Sequence, residues 1–252
     1  VTDSNLLDGT IDETEGTSSN YNAVLIEASE VALSGITSGC TIKIESITKV
    51  SDGEYNVIYQ ITGCDGNGKL EVSIPNGVSV DLAGNLSEAS NSLSWIIDNI
   101  NPNVEITKEN IYESTTNNAS HFNNTHVNKN HVIRFKAKVT DANLLDGTIA
   151  LETGTSTNYA SGVLITAQEV DFSGESTGCS ISIESITKET DQEYSVIYQI
   201  TGCSGNGLMT INISAEMSLD LAHNLSDASE TLSWVIDNTS PTVKLEYLSN
   251  TN

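Results

Sequence analysis

Three short acidic segments are where this sequence could do chemistry. They are Asp98, Asn99 and Asn101 in DNINPNV, Asp141, Asn143 and Asp146 in TDANLLDG, and Asp220 and Asn224 in DLAHN. Carboxylates, side-chain amides and backbone carbonyls are the hard oxygen ligands that calcium takes, about six to eight at a time. Carboxylates crowded together repel one another unless a cation or a proton intervenes. Turn chemistry is the competing explanation. Asp and Asn cap turns through side-chain-to-backbone hydrogen bonds, and the neighbouring glycines supply positive φ. Either account explains each residue taken singly.

The four cysteines, Cys40, Cys64, Cys179 and Cys203, are the second candidate group. Even usage, one pair per half of the chain, points to disulfides in an oxidising compartment. Zinc is the alternative, but no histidine keeps step with the cysteines. His121, His126 and His131 are spaced by five in a polar stretch, which has no ligand logic on a strand and reads as a solvated loop. No Ser-His-Asp or Cys-His arrangement occurs in both halves. Any pair of carboxylates can be picked from 34 acidic residues, so a glycosidase reading has no content.

The elements that position these residues come from an internal repeat. TDSNLLDGTI at Thr2 to Ile11 returns as TDANLLDGTI at Thr140 to Ile149, and YNVIYQITGCDGNG returns as YSVIYQITGCSGNG. Trp95 in LSWIIDN returns as Trp234 in LSWVIDN, 139 residues on. A period that long is a domain, not a solenoid unit. In the second copy HVIRFKAKVT alternates Ile133, Phe135, Ala137 and Val139 against Val132, Arg134, Lys136 and Lys138. That is a strand with one apolar and one mixed face. GVLITAQEV, SISIESITK, EYSVIYQIT, GLMTINIS and TLSWVIDN follow as further strands between Gly, Asp, Asn and Ser clusters. Short strands at such intervals, without helical periodicity, predict an all-β sandwich of antiparallel sheets.

Each cysteine pair brackets a predicted hairpin whose turn falls at Asp52-Gly53 or at Asp191, which places both cysteines at its open end. Cys64 has the parity of Gln60 and Thr62, so a bulge at Gly63 is needed to bring it across. Trp95 and Trp234 are expected to anchor the core. Tyr55, Val57, Tyr59 and Ile61, with Tyr194, Val196, Tyr198 and Ile200, each form an inward face.

The segments DNINPNV and DNTSPTV read as linkers, each with a Pro that ends strand pairing. Residues 1–100 are then one repeat lacking its first strands, 101–238 a complete repeat, and 239–252 a linker with VKLEYL as the first strand of a following one. Ile111 to Asn130 reads as a peripheral polar loop.

A formal charge of −24, from 34 acidic and 10 basic residues, repels phosphate backbones and anionic lipid, so nucleic acid and membrane surfaces are excluded as partners. No apolar run approaches the ~18 residues of a membrane span. No leader or anchor pattern is present at either end, which says nothing about the parent protein if the chain starts and stops inside repeats.

Together TGCSISIESI, YSVIYQITGCSGNG, VDLAGNLSEAS with its second form LDLAHN, and WVIDNTSPTV resemble the bacterial immunoglobulin-like tandem repeats of large secreted adhesins and surface proteins. His223 stands where that pattern has Gly, as Gly84 does in the first copy. The resemblance implies tandem immunoglobulin-like antiparallel β-sandwiches in an extracellular or cell-surface setting. Its topology would bring the three acidic segments to one end, where a structural, inter-domain calcium would stiffen the joint. Asp3, Asn5, Asp8, Asp81 and Asn85 would be the corresponding set of the first copy. The implied function is a non-enzymatic spacer or fibre module that projects a binding region. Its partners would be neighbouring repeats or subunits, with a host or cell-surface glycan or protein as target. A glycan- or protein-binding module, and an appendage of a secreted hydrolase, are the alternatives.

Overall fold

A computed structural model describes residues 1–12, 17–18, 25–113, 125–151, 153–158 and 163–247. The chain is all-β and divides into two compact units, Val1–Asn99 and Ile100–Asn252.

Unit 1 contains β1 (Ile11–Asp12), β2 (Thr17–Ser18), β3 (Ala32–Gly35), β4 (Thr41–Ser51), β5 (Glu54–Thr62), β6 (Gly68–Ser73) and β7 (Leu93–Ile97). Strands β4 and β5 form a two-stranded sheet and β3-β6-β7 a three-stranded one, all antiparallel. Unit 2 contains β8 (Asn103–Glu113), β9 (His126–Val127), β10 (His131–Thr140), β11 (Ile149–Ala150), β12 (Thr155–Ser156), β13 (Val170–Gly174), β14 (Ser180–Thr190), β15 (Glu193–Thr201), β16 (Gly207–Ile213) and β17 (Leu232–Ile236). Its two four-stranded sheets run β14-β15-β10-β8 and β13-β16-β17-β9.

Alternation builds the core of unit 2. Phe135, Ala137, Val139, Tyr194, Val196, Tyr198 and Ile200 from one sheet are buried in a single cluster with Met209, Ile211, Ile213 and Trp234 from the other. Burying a side chain of this size contributes about 1.5–3 kcal/mol. The rings of Phe135 and Tyr198 stack at 4.8 Å between centroids. Unit 1 has a smaller core of Leu6, Leu7, Leu25, Ile47 and Tyr55.

The anchoring role expected of both tryptophans holds for one. Trp234 is 1% exposed, whereas Trp95 is 50% exposed. The local sequences match, so the difference comes from what lies over each ring. In unit 2, β8 passes close to β17 and places the Lys108 ammonium 4.7 Å from the Trp234 ring centroid. Among the described residues no counterpart of β8 pairs in unit 1, and that of β10 is limited to the Thr2–Glu54 bridge.

Three further expectations are corrected. The segment Ile111 to Asn130 is not wholly loop: Ile111–Glu113 ends β8, and His126–Val127 forms β9, which pairs in parallel with β17. His131 is not solvated but buried at the start of β10, while His121 lies outside the described residues. Within GVLITAQEV the residues from Val163 to Glu169 are not a strand. Val163, Leu164 and Ile165 are a buried loop leading into the single 3₁₀ turn Ala167–Glu169. Tyrosine hydroxyls replace the strand neighbours that this loop lacks. Tyr194 donates to the Val163 carbonyl at 2.8 Å and Tyr198 to the Ile165 carbonyl at 3.0 Å, which satisfies buried acceptors.

Residues 238–247 form no strand; Val243, Leu245 and Tyr247 are 90%, 95% and 93% exposed.

Candidate functional site

Within each unit the residues proposed as ligands make the same local structure. In unit 2, Asp141 accepts a hydrogen bond from the Asn143 backbone N–H at 2.7 Å, an Asx turn that opens the loop after β10. Asp220 is fully buried. Its Oδ1 accepts from the backbone N–H groups of Ala222 and Asn224 at 2.8 and 2.9 Å, and its Oδ2 accepts from the Asn224 amide at 2.9 Å. The Leu221 N–H donates to the Asn143 carbonyl at 2.9 Å and joins the two loops. The carboxylate oxygens of Asp141 and Asp220 lie within 4.8 Å of one another.

Unit 1 repeats this arrangement. Asn5 N–H donates to Asp3 at 2.8 Å, Ala83 and Asn85 N–H donate to Asp81 at 2.9 and 2.7 Å, and Leu82 N–H donates to the Asn5 carbonyl at 2.9 Å. Hydrogen bonds from the Asn85 side chain and backbone hold the Asp81 carboxyl below the usual carboxylate range.

Other members of the predicted set have different occupations. Asn99 donates its side-chain amide to the carbonyls of Gly66 (2.8 Å) and Cys64 (3.3 Å), and its backbone N–H to Asn67 (2.6 Å). It pins the end of β7 to the hairpin that carries the cysteine. Asn238 does the same in unit 2, donating to Gly205 at 2.6 Å and Cys203 at 3.1 Å. Asn101 donates to Asp227 at 3.2 Å. Asp146 is exposed, and beside it the Gly147 carbonyl accepts a hydrogen bond from Lys188. A protein ammonium, also paired with Asp191 at 2.6 Å, therefore serves this part of the loop. Lys49 repeats the contact at Gly9 with Asp52 at 2.7 Å. Asp98 follows β7 at the end of unit 1.

The cysteines are bridged as Cys40–Cys64 and Cys179–Cys203, each with Cα atoms 4.1 Å apart. The parity difficulty is resolved at Gly63 and Gly202, which sit just past β5 and β15 with φ of 74° and 75°. That left-handed step, open to glycine at little cost, turns the next side chain toward the partner strand. His223 takes φ 71° where Gly84 takes 84°, so the turn after the buried aspartate keeps its geometry.

Two polar groups escaped the sequence reading. Tyr194 and Tyr55 share buried hydrogen bonds with Ser218 and Ser79. On the outer face of β14-β15-β10-β8, Arg134 forks onto both oxygens of Glu184 at 2.6 and 2.8 Å, and Gln199 donates to Glu184 at 2.8 Å. Partial desolvation pushes the Glu184 carboxyl up, but the bonds from Gln199 and Arg134 outweigh it and hold the group below the usual range. The recurring Tyr/Ser pair was visible as a repeat, whereas Arg134 has no counterpart to mark it.

No protein-family model matches the chain, and no curated protein does either. Among solved structures the chain is similar to FdeC, titled a novel broadly conserved Escherichia coli adhesin eliciting protection against urinary tract infections. Identity is 16% and the TM-score 0.36, over 87% of this chain and 55% of that one. The chain thus spans little more than half the length of that structure.

Among the described residues no helix is long and apolar enough to cross a membrane. What the site offers chemically is oxygen: two carboxylates and an amide on turns fixed by backbone hydrogen bonds.

Proposed function

We propose that the chain is a non-enzymatic structural and adhesive module of a bacterial extracellular surface protein or fibre. It is read as tandem immunoglobulin-like sandwiches that act as a spacer projecting a binding region. One observation carries this reading: the side chains that recur between the units are engaged in architecture. The paired hydroxyls of Tyr55–Ser79 and Tyr194–Ser218, the Asn99 and Asn238 pins and the two disulfides all close turns, caps and strand ends. Disulfides persist in oxidising surroundings, which supports the extracellular setting. Antibodies raised against the chain should label intact source cells. Labelling only after lysis would remove the surface reading.

Calcium belongs to this proposal through Asp141 and Asp220. Their oxygens are near enough for one ion, and carboxylate oxygens are the hard ligands that calcium takes. Bound calcium would hold the loop after β10 against the DLAHN loop of unit 2. Calorimetric titration should show saturable binding that Asp220→Asn abolishes. A melting temperature identical in calcium and in EDTA would end the idea.

A further inference from the structure

Strand register fixes where the chain enters and leaves unit 2. Asn103, the first residue of β8, faces Thr140, which in turn faces Glu193 beside the turn of the β14–β15 hairpin. Ile236, the last residue of β17, faces Gly207, just past the Cys203 end of the same hairpin. Entry and exit therefore lie at opposite ends of the strands. We propose that unit 2 carries tension along the chain, taken in shear by β8 and β17. This deepens the spacer reading and rests on it.

Both strands are held so that such a load meets many bonds at once. β8 pairs with β10 along its whole length, from Asn103 with Thr140 to Glu113 with His131. β17 lies between β16 and β9. In its parallel pair with β9, the N–H groups of Val235 and Asp237 donate to the carbonyls of Thr125 and Val127 at 2.7 and 2.8 Å. Ladder bonds between antiparallel strands run perpendicular to them. A pull along the strands thus loads a whole row together, whereas a pull across them opens one bond at a time.

Two side chains tie the loaded strands to the rest of the unit. Lys108 of β8 donates to the Ser233 carbonyl of β17 and lies over the Trp234 ring, which couples the entry strand to the exit strand. At the exit Asn238 acts as a clamp. Its amide donates to the carbonyls of Cys203 at 3.1 Å and Gly205 at 2.6 Å, and its Oδ1 accepts from the Lys129 N–H at 2.8 Å. Its own N–H donates to Asn206 at 2.7 Å. Residues 203–206 connect β15 to β16, and Lys129 lies between β9 and β10. Each connection joins one sheet to the other, so Asn238 passes the load to both. The Cys179–Cys203 bridge carries it on into β14.

The test is single-molecule pulling of the 252-residue chain in two directions. One has handles at the two ends of the chain, and unit 2 is recognised by its longer extension. The other moves the first handle to position 129, which lies beside Asn238 at the exit end. End to end, unit 2 should rupture at about twice the force needed from position 129, where the β9–β17 pair opens bond by bond. Asn238→Ala should raise the unfolding rate at fixed end-to-end load about tenfold. Equal rupture forces in the two directions would overturn the proposal, as would a rate that Asn238→Ala leaves unchanged. Neither result depends on where the source cell displays the chain, so this test and surface labelling can fail separately.

Discussion

The hydroxyl of Tyr194 and that of Ser218 lie 2.9 Å apart in the core of unit 2, and Tyr55 and Ser79 repeat the pair at 2.9 Å in unit 1. Tyr194 also donates to the Val163 carbonyl at 2.8 Å and accepts from the Ile165 N–H at 3.2 Å. Burial raises its pKa above the ordinary tyrosine value, so the hydroxyl keeps its proton at any physiological pH. Tyr194→Phe would strand several buried groups and should cost about 2–3 kcal/mol. Tyr55→Phe breaks the bond to Ser79 and should cost at least about 1 kcal/mol. Urea unfolding of each variant would measure both, and an unchanged stability of Tyr194→Phe would contradict the assignment.

The tryptophans offer a direct optical check. Trp234 is 1% exposed and Trp95 50%. In a Trp95→Phe chain acrylamide should barely quench the emission, whereas in a Trp234→Phe chain it should quench strongly. Truncation should follow the same order, with Trp234→Ala losing about 3–5 kcal/mol and Trp95→Ala far less. Similar quenching in the two variants would show that unit 1 buries its ring in solution.

These tryptophans also show where sequence reading stops. The hairpins β4–β5 and β14–β15 were legible because alternation and the Asp52-Gly53 turn are local properties. The paired cysteines at the hairpin ends followed from the same arithmetic. Trp95 and Trp234 sit in nearly identical segments, yet burial is set by strands remote in sequence. The same holds for the parallel β9–β17 pair and for the loop Val163–Ile165, whose carbonyls are satisfied by tyrosines about 30 residues away. In the acidic segments the composition was open to two readings, a ligand set or turn caps. Asn99 donates its amide to Gly66 and Cys64 and so closes a strand end, a role set by residues more than 30 positions away that its own segment does not reveal.

Left-handed backbone gives the third prediction. Glu216 and His223 have φ of 69° and 71° where unit 1 has Gly77 and Gly84. A side chain in this region costs about 1–2 kcal/mol, less for His than for Glu. Glu216→Gly should therefore stabilise unit 2 by about 0.5–1 kcal/mol, and His223→Gly by less. A Cβ at Gly84 would meet nothing within 4 Å, so the loss on Gly84→Ala reports φ alone. Thermal melts would rank the four sites.

His131 supplies the dependence on pH. Burial lowers its pKa, with Glu113 opposing, and its Nδ1 accepts the Asn128 N–H at 3.2 Å, which requires the neutral ring. The unfolded chain takes up this proton near the ordinary value of about 6.5, and the folded chain only at lower pH. Between those values the unfolded state binds more protons, so stability falls as pH falls below about 6.5. Above it the neutral ring contributes fully. His131→Gln should remove this part of the acid sensitivity between pH ~7 and ~5. An unchanged slope in that window would assign the effect to other groups.

The disulfides make the last prediction, and their position decides its size. Each bridge spans a sequence separation of 24 residues and joins strand ends already paired along the hairpin, Thr41 with Thr62 and Ser180 with Thr201. In the chain-entropy account, cross-linking a loop of this length stabilises by roughly 3 kcal/mol through the unfolded state. Unit 2 holds its hairpin with a third strand, β10, so it should remain folded when Cys179 and Cys203 are both changed to Ala. Among the described residues the unit 1 hairpin has, beyond β4 against β5, just the short Val1–Thr2 contact, so Cys40→Ala with Cys64→Ala should remove a larger share of its stability. Hydrogen exchange under reducing conditions should then show β5 amides losing protection before those of β15. Loss in the reverse order would mean that β10 does not support the hairpin as its pairing implies.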